Sequence, residues 1–377
     1  MYQFLINILK EVKLFFSSLN ILYETKNVKP KIIFFSENKV YQKFSKPLID
    51  AICAVYNCKI YYLSISKEDE IDDSIVNNYF IHPLLINFIF KRIKAENIFL
   101  TITDLGNNLL EKTKNIDNYI YYFHSPVSTT KNYTSQAFDH YDVIMCNGKH
   151  QIDEIRSRES LKKLTKKKLF PSGYFYFDYL IKNINQNINN DEILIAPSWN
   201  KDLSNYINEN FIDLINILIK KQYKVTFRPH PEHFKRSKKI LNDIKNRFTN
   251  VNFKFDKNTE NIESMEKAKC LITDSSGIAI EYMIALKRPV LYLDEYDKIH
   301  NSDFQDYSNL KTIDQEIKEN FGYLFKNKDF NNIDYIINNS EKKLQKNLPE
   351  LKNFINTNYF NFGNTRNFLI SNLKEII

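Results

Sequence analysis

The sequence predicts an α/β protein built as two Rossmann-like, doubly wound domains that face each other across a cleft. Three observations lead there. Short apolar runs alternate with amphipathic helical patterns along nearly all of the 377 residues, the mark of parallel sheets clothed by helices on both faces. A stretch rich in Asn, Ile and Gln at 183–191 interrupts the alternation near the middle and looks like a linker. In the second half, two strand-like runs (224–227 and 270–273) break abruptly into polar turns before a helical pattern resumes. Such a turn is where an open α/β sheet takes its ligand.

Taken in order, the first 23 residues place Phe4, Leu5, Ile8, Leu9, Val12, Phe15, Phe16 and Leu19 at helical spacing, with Lys10 and Lys13 between them. That is an amphipathic helix, suited to its own domain or to a bilayer interface. Strands are expected at 31–36, 59–64, 97–103, 119–124, 142–146 and 168–171, with helices between most of them, including 41–55 and 79–95. The second series runs strand 192–196, helix 205–221, strand 224–227, helix 233–248, strand 251–255, helix 262–268, strand 270–273, helix 276–286 and strand 289–293. Two further helices follow, at 331–345 and 364–377. The domains are expected to be 1–185 and 186–377.

The totals exclude several classes. A hydrophobic fraction of 43% and a charged fraction of 26% suit an ordinary globular protein. Cys53, Cys58, Cys146 and Cys270 are scattered, without zinc spacing or a disulfide framework, which points to a reducing compartment. The chain lacks the basic start and small-residue cleavage site of a signal peptide, and no apolar run is long enough to cross a membrane. A cytoplasmic location follows as the expectation. The net charge is +8, with Lys162, Lys163, Lys166, Lys167 and Lys168 close together. No nucleic-acid module accompanies them. A solvated segment, or contact with an anionic membrane surface or polymer, accounts for the run.

The chemistry gathers at the two polar turns. The first, at 226–233, reads Thr-Phe-Arg-Pro-His-Pro-Glu-His. Pro229 and Pro231 fix their φ angles, hold the backbone extended and present His230 rigidly at a strand end. Arg228, two residues earlier, has a guanidinium able to fork onto phosphate oxygens. The HxxH spacing of His230 and His233 is broken by Pro231, so no metal site is expected. The second turn, Asp274-Ser275-Ser276-Gly277, opens a helix. Its serines are natural N-caps, its amides suit an anion, and Gly277 would admit a ligand close to the backbone. Glu281, further into the helix, could accept hydrogen bonds from ribose hydroxyls. In the first half, His124 ends an apolar strand ahead of a polar loop at 127–140, either as a structural histidine or as a general base for an incoming hydroxyl.

Several of these pieces resemble, in order, the CDP-glycerol glycerophosphotransferase family, the teichoic-acid and capsule polymerases. They are Phe123-His-Ser-Pro126, Ala137-Phe-Asp-His-Tyr-Asp142, Cys146-Asn-Gly-Lys-His150, Ser172-Gly-Tyr174, Asp178-Tyr-Leu180, Ile195-Ala-Pro-Ser-Trp-Asn200, Phe227-Arg-Pro-His-Pro231, Thr273-Asp-Ser-Ser-Gly277 with Glu281, Lys287-Arg-Pro-Val-Leu291 and Asn361-Phe-Gly-Asn364. The resemblance runs from about residue 90 to the end. It implies a GT-B fold, His124 as catalytic base, and His230 on the donor diphosphate. Ser198, Arg228, Asp274, Ser275, Ser276, Gly277 and Glu281 then line the donor pocket. The chain departs from the family pattern at Ser275, where a tyrosine is usual, at Gly277 for the last serine, and at Asn200 for an arginine. These departures leave the transferred polyol open.

The expected activity is transfer of a polyol phosphate from a CDP-linked donor to a polysaccharide, teichoic-acid-like or lipid-linked acceptor, with release of CMP. No cofactor is expected to be tightly bound, and the need for a divalent cation stays open. The alternatives are a GT-B glycosyltransferase using a nucleotide sugar in capsule or lipopolysaccharide synthesis, and a non-catalytic polymer-binding protein. Attachment to the inner face of the cell membrane is a further expectation.

Overall fold

The computed structural model describes residues 11–377 except 104, 107–109, 200–208, 250, 295–297 and 308. The chain forms two compact units. The first comprises Met1–His124, Thr134–Asp178 and Tyr359–Ile377, and the second Ser125–Tyr133 and Tyr179–Asn358. These differ from the expected halves in three places. Ser125–Tyr133 leaves the first half to join the second unit, the central boundary falls after Asp178 and not after residue 185, and the last nineteen residues return to the first unit.

The first unit holds a sheet of seven parallel strands: β1 (Ile32–Ser36), β2 (Ile60–Ser64), β3 (Val76–Phe80), β4 (Ala95–Leu100), β5 (Ile116–Tyr122), β6 (Val143–Met145) and β7 (Lys168–Phe170). Their order is 3-2-1-4-5-6-7. All five residues of β1 are buried, as expected for a central strand covered on both faces. The second unit has six parallel strands: β8 (Glu192–Ile195), β9 (Lys224–Phe227), β10 (Phe253–Phe255), β11 (Ala268–Thr273), β12 (Val290–Leu293) and β13 (Tyr323–Phe325), ordered 10-9-8-11-12-13. Its core gathers Ile193, Ile195, Phe227, Ile272 and Leu291 from the strands with Phe211, Ile215 and Ile337 from the helices. Each sheet reverses its direction of winding once, at β1/β4 and at β8/β11.

Several expected elements differ. Residues 79–95 are not one helix, because Val76–Phe80 is an edge strand, followed by only a short helix, Ile86–Phe90. The expected helix at 233–248 is two, Pro231–Arg236 and Lys238–Arg247, divided at Ser237. Strand β13 and the Leu348–Asn358 helix were not anticipated. Of the N-terminal helix, residues 1–10 lie outside the described residues. Residues 11–17 and Asn20–Asn27 are helical, with Phe16 62% exposed. Among the described residues, no helix is long and apolar enough to cross a membrane.

The returning tail explains three sequence motifs. Asp178 accepts hydrogen bonds from the Gly363 and Thr365 amides (3.0 and 2.8 Å), ahead of the Thr365–Asn372 helix. Asn361 donates to the Pro171 and Ser172 carbonyls at 2.7 and 3.2 Å. Gly173 has φ +86°, and a Cβ there would meet the Phe360 carbonyl oxygen at 2.4 Å. Only glycine serves at that position.

Candidate functional site

In the second unit β8 runs between β9 and β11. Neighbouring strands lie ~4.8 Å apart, so the carboxyl ends of β9 and β11 are separated by roughly 10 Å. The register sets Ile195 beside Phe227 and Ile272 beside Ile195. Arg228, Ala196 and Thr273 therefore leave the sheet along one edge, at its switch point, where α/β sheets bind ligands.

A polar network fixes this edge. Asp274, 3% exposed, accepts the Ser198 amide at 2.7 Å and also the Ser198 hydroxyl. Thr273 donates its hydroxyl to the Ala196 carbonyl at 2.7 Å. His233, 1% exposed, lies with Nε2 at 3.0 Å from the Ser198 carbonyl and Nδ1 at 3.1 Å from the Ser237 hydroxyl. A carbonyl only accepts, so Nε2 carries the ring proton and Nδ1 accepts from the serine. Desolvation holds this imidazole below its ordinary pKa, although the Ser198 carbonyl and the Asp274 charge pull the other way. Ser198 and Asp274 thus bind each other, and they shape the turn that the donor pocket was expected to use.

Arg228 is also engaged within the fold. Its guanidinium donates to Asp256 (2.6 Å) and to the carbonyls of Asn258, Thr259 and Glu260 at 2.8, 3.2 and 3.1 Å. Burial pushes the Asp256 carboxyl up, but the Ser264 hydroxyl, the Asn258 amide and the Arg228 charge together hold it below its ordinary value. Sequence spacing suggested a phosphate ligand here; the structure gives this fork to the 256–260 loop.

His230 occupies the N-cap of the Pro231–Arg236 helix, where Nδ1 accepts the Glu232 amide at 3.2 Å. In the neutral ring that leaves Nε2 as the protonated nitrogen, a donor suited to an anion. His230 and His233 are committed to separate partners.

Ser276 is the N-cap residue of the Gly277–Leu286 helix, yet its hydroxyl does not cap it. Instead Ser275 and Ser276 both line a cavity of about 280 Å³. The missing Cβ of Gly277 makes room for Ser125, whose hydroxyl oxygen would lie 2.4 Å from a Cβ placed there. Ligand approach was the expected reason for this glycine; in the structure the Ser125–Tyr133 segment lies close against it. Glu281 is buried in the second turn of the same helix, 6% exposed.

In the first unit His124 follows β5. Its ring meets Tyr41 edge-on at 5.3 Å and Phe44 at 6.2 Å, and its carbonyl accepts the Tyr174 hydroxyl at 3.1 Å. The imidazole thus packs against two aromatic side chains of the same unit.

Several charged groups near the second sheet had escaped the sequence. Asp314 accepts the Ser128 amide (2.7 Å) and the Asn132 side-chain amide (3.0 Å), tying Ser125–Tyr133 to the start of the Ile313–Asn320 helix. Burial pushes its carboxyl up. Lys131 is 3% exposed. Lys298 is partly buried, its ammonium held below the ordinary value by desolvation against the attraction of Asp274 and Asp314. These residues sit in loops and helix starts without motif spacing, and only the capping pattern Thr312-x-x-Gln315 hinted at a helix start there.

Two parallel-sheet units, the second with a rigid polar switch point beside an anion-ready helix start, define an α/β enzyme of the GT-B type. The chain belongs to the CDP-glycerol:poly(glycerophosphate) glycerophosphotransferase family, whose pattern matches residues 95–367. The resemblance carried by the motifs is borne out. Among solved structures the chain is similar to the wall teichoic acid polymerase TagF, at 18% identity and a TM-score of 0.61, covering 99% of this chain and 97% of that one. It is also similar to a putative UDP-N-acetylglucosamine 2-epimerase from Listeria monocytogenes, at 10% identity and a TM-score of 0.57, covering 92% and 96%. At these identities the likeness is one of fold. No curated protein matches the chain. The family sets the class of reaction as polyol-phosphate transfer.

Proposed function

We propose that this enzyme passes a polyol-phosphate unit from a CDP-linked donor to a hydroxyl of a teichoic-acid-like or other surface-polymer acceptor. His124 takes the proton of the acceptor hydroxyl, and the oxygen bonds to the phosphorus distal to the nucleoside. The bond from that phosphorus to the bridging oxygen breaks, and CMP leaves with the electron pair. His230 donates from Nε2 to the diphosphate, and the helix start at Ser275–Gly277 offers its amides and positive dipole end. Glu281 is assigned to the ribose hydroxyls. Ser198 and Asp274 hold the turn in shape, and Arg228 holds the neighbouring loop.

The observation that carries this reading is the His230 cap. It fixes a protonated Nε2 at the carboxyl end of β9, beside the switch point of a family glycerophosphotransferase. Catalysis of this kind is largely electrostatic, with charge neutralised as it builds on the diphosphate. Titration calorimetry of the full chain with CDP is the test. Saturable binding to one site is the expected outcome, and no heat at millimolar CDP would contradict the reading.

Attachment to an anionic membrane surface belongs to the same proposal. Lys162, Lys163, Lys166 and Lys168 are exposed, whereas Lys167 turns inward beside Glu159. Phe16 and Val12 offer exposed apolar surface in the N-terminal helical segment. Co-sedimentation with anionic liposomes should therefore fall as salt rises; binding indifferent both to salt and to removal of residues 1–23 would count against it.

A further inference from the structure

The 280 Å³ cavity lies within the second unit at the carboxyl ends of β11, β12 and β13. It is at the small end for ligand pockets, sized for one end of a larger molecule. Ile280, Tyr292 and Leu324 supply apolar surface, and the rest of its lining is charged or polar. Lys131 and Lys318 face it together with Asp294, Asp314 and Glu319. Much of this charge is already held in place. Lys318 donates to Asp294 at 2.6 Å, and Asp314 is fixed by the Ser128 amide and Asn132.

With Asp294 paired to Lys318 and Glu319 paired to Lys311 (2.8 Å), the lining has no surplus of positive charge to draw in a diphosphate, and the polar rim rejects a purely apolar body. A neutral group bearing several hydroxyls satisfies both sets. Each hydroxyl can donate to a carboxylate and accept from an ammonium, while its C–H faces rest on Tyr292 and the two aliphatic side chains. The cavity also begins at Ser275 and Ser276, the helix start assigned above to the donor phosphates. We infer that this cavity is a polyol subsite, in which Asp294 and Lys318 recognise the hydroxyls of a polyol unit next to its phosphate. The inference rests on the proposed function, and the polyol could arrive with the donor or as the terminal unit of the acceptor.

The experiment measures CDP and CDP-glycerol affinity by calorimetry, and KM for a poly(glycerol phosphate) oligomer, on the full-length wild type, Lys318→Met and Asp294→Asn. CDP affinity should stay within about twofold in both variants, because the diphosphate is assigned to the helix start at Ser275–Gly277 and not to these two side chains. For a donor polyol, the extra affinity of CDP-glycerol over CDP falls about tenfold, the loss of one charge-assisted hydrogen bond. For an acceptor polyol, donor affinity holds and the oligomer KM rises about tenfold instead. Either result supports the subsite and names its source. Unchanged donor preference with unchanged KM overturns it, as does a parallel fall in CDP and CDP-glycerol affinity, which would make the cavity a nucleotide site. A wild type that binds no CDP would instead remove the proposed function on which the subsite rests. Two variants on opposite sides of the Lys318–Asp294 pair guard against a folding defect in one, with thermal unfolding recorded for both.

Discussion

His230 combines two duties, and they can be separated. Its Nδ1 caps a helix and its Nε2 is assigned to the diphosphate. In His230→Asn the side-chain oxygen can still accept the Glu232 amide, since asparagine is a strong N-cap, but the Nε2 donor is gone. Turnover with a CDP donor should drop about a hundredfold, as when an oxyanion contact is removed, with the unfolding midpoint nearly unchanged. Near-normal turnover would sink the assignment. His233 acts on stability instead. Its folded pKa is depressed, so below about pH 6.5 the unfolded chain takes up a proton that the folded chain refuses. Stability should be fully present above that pH and erode as it falls further; urea midpoints between pH 5 and 8 check this, and His233→Asn should flatten that part of the profile. The prolines made His230 legible in the sequence, because they dictate backbone conformation by themselves. Lys131, Lys298 and Asp314 were not legible, because their roles depend on contacts between segments far apart in the chain.

Among the elements, the central strands were plain because burial on both faces makes them continuously apolar. Edge strands carry half that signal. Val76–Phe80 includes two asparagines and buries only Val76, so it merged with the helical pattern that follows. Tyr323–Phe325 buries only Phe325 and was missed for the same reason. Arg228 shows what spacing alone leaves out. A strand-end arginine beside a histidine suggested a phosphate contact, but the loop at 256–260 provides a carboxylate and three carbonyls for the same fork. Arg228→Ala would leave Asp256 buried and unpaired, and chemical denaturation should show a loss of about 3–5 kcal/mol. A stable Arg228→Ala variant with normal folding but lost donor affinity would return this residue to the phosphate.

For the molecule as a whole, the alternation of strands and helices showed two α/β units, yet it could not show that the tail returns to the first. That return depends on Asp178, Asn361 and Gly173, each with a partner about 190 residues away. In Gly173→Ala, the positive φ and the clash with the Phe360 carbonyl should destabilise the chain by about 2 kcal/mol or more. Limited proteolysis should then release the last nineteen residues; an unaltered digestion pattern would contradict that account of the tail. The reaction itself is best followed through its phosphorus. Donor CDP-glycerol labelled at the phosphorus distal to the nucleoside is incubated with the full-length enzyme and a poly(glycerol phosphate) acceptor, and the label is traced. Label in the polymer with unlabelled CMP released is the outcome expected of polyol-phosphate transfer. Label retained in released CDP would mean that the bond broken lies on the other side of that phosphate, and the transfer chemistry described here would be wrong.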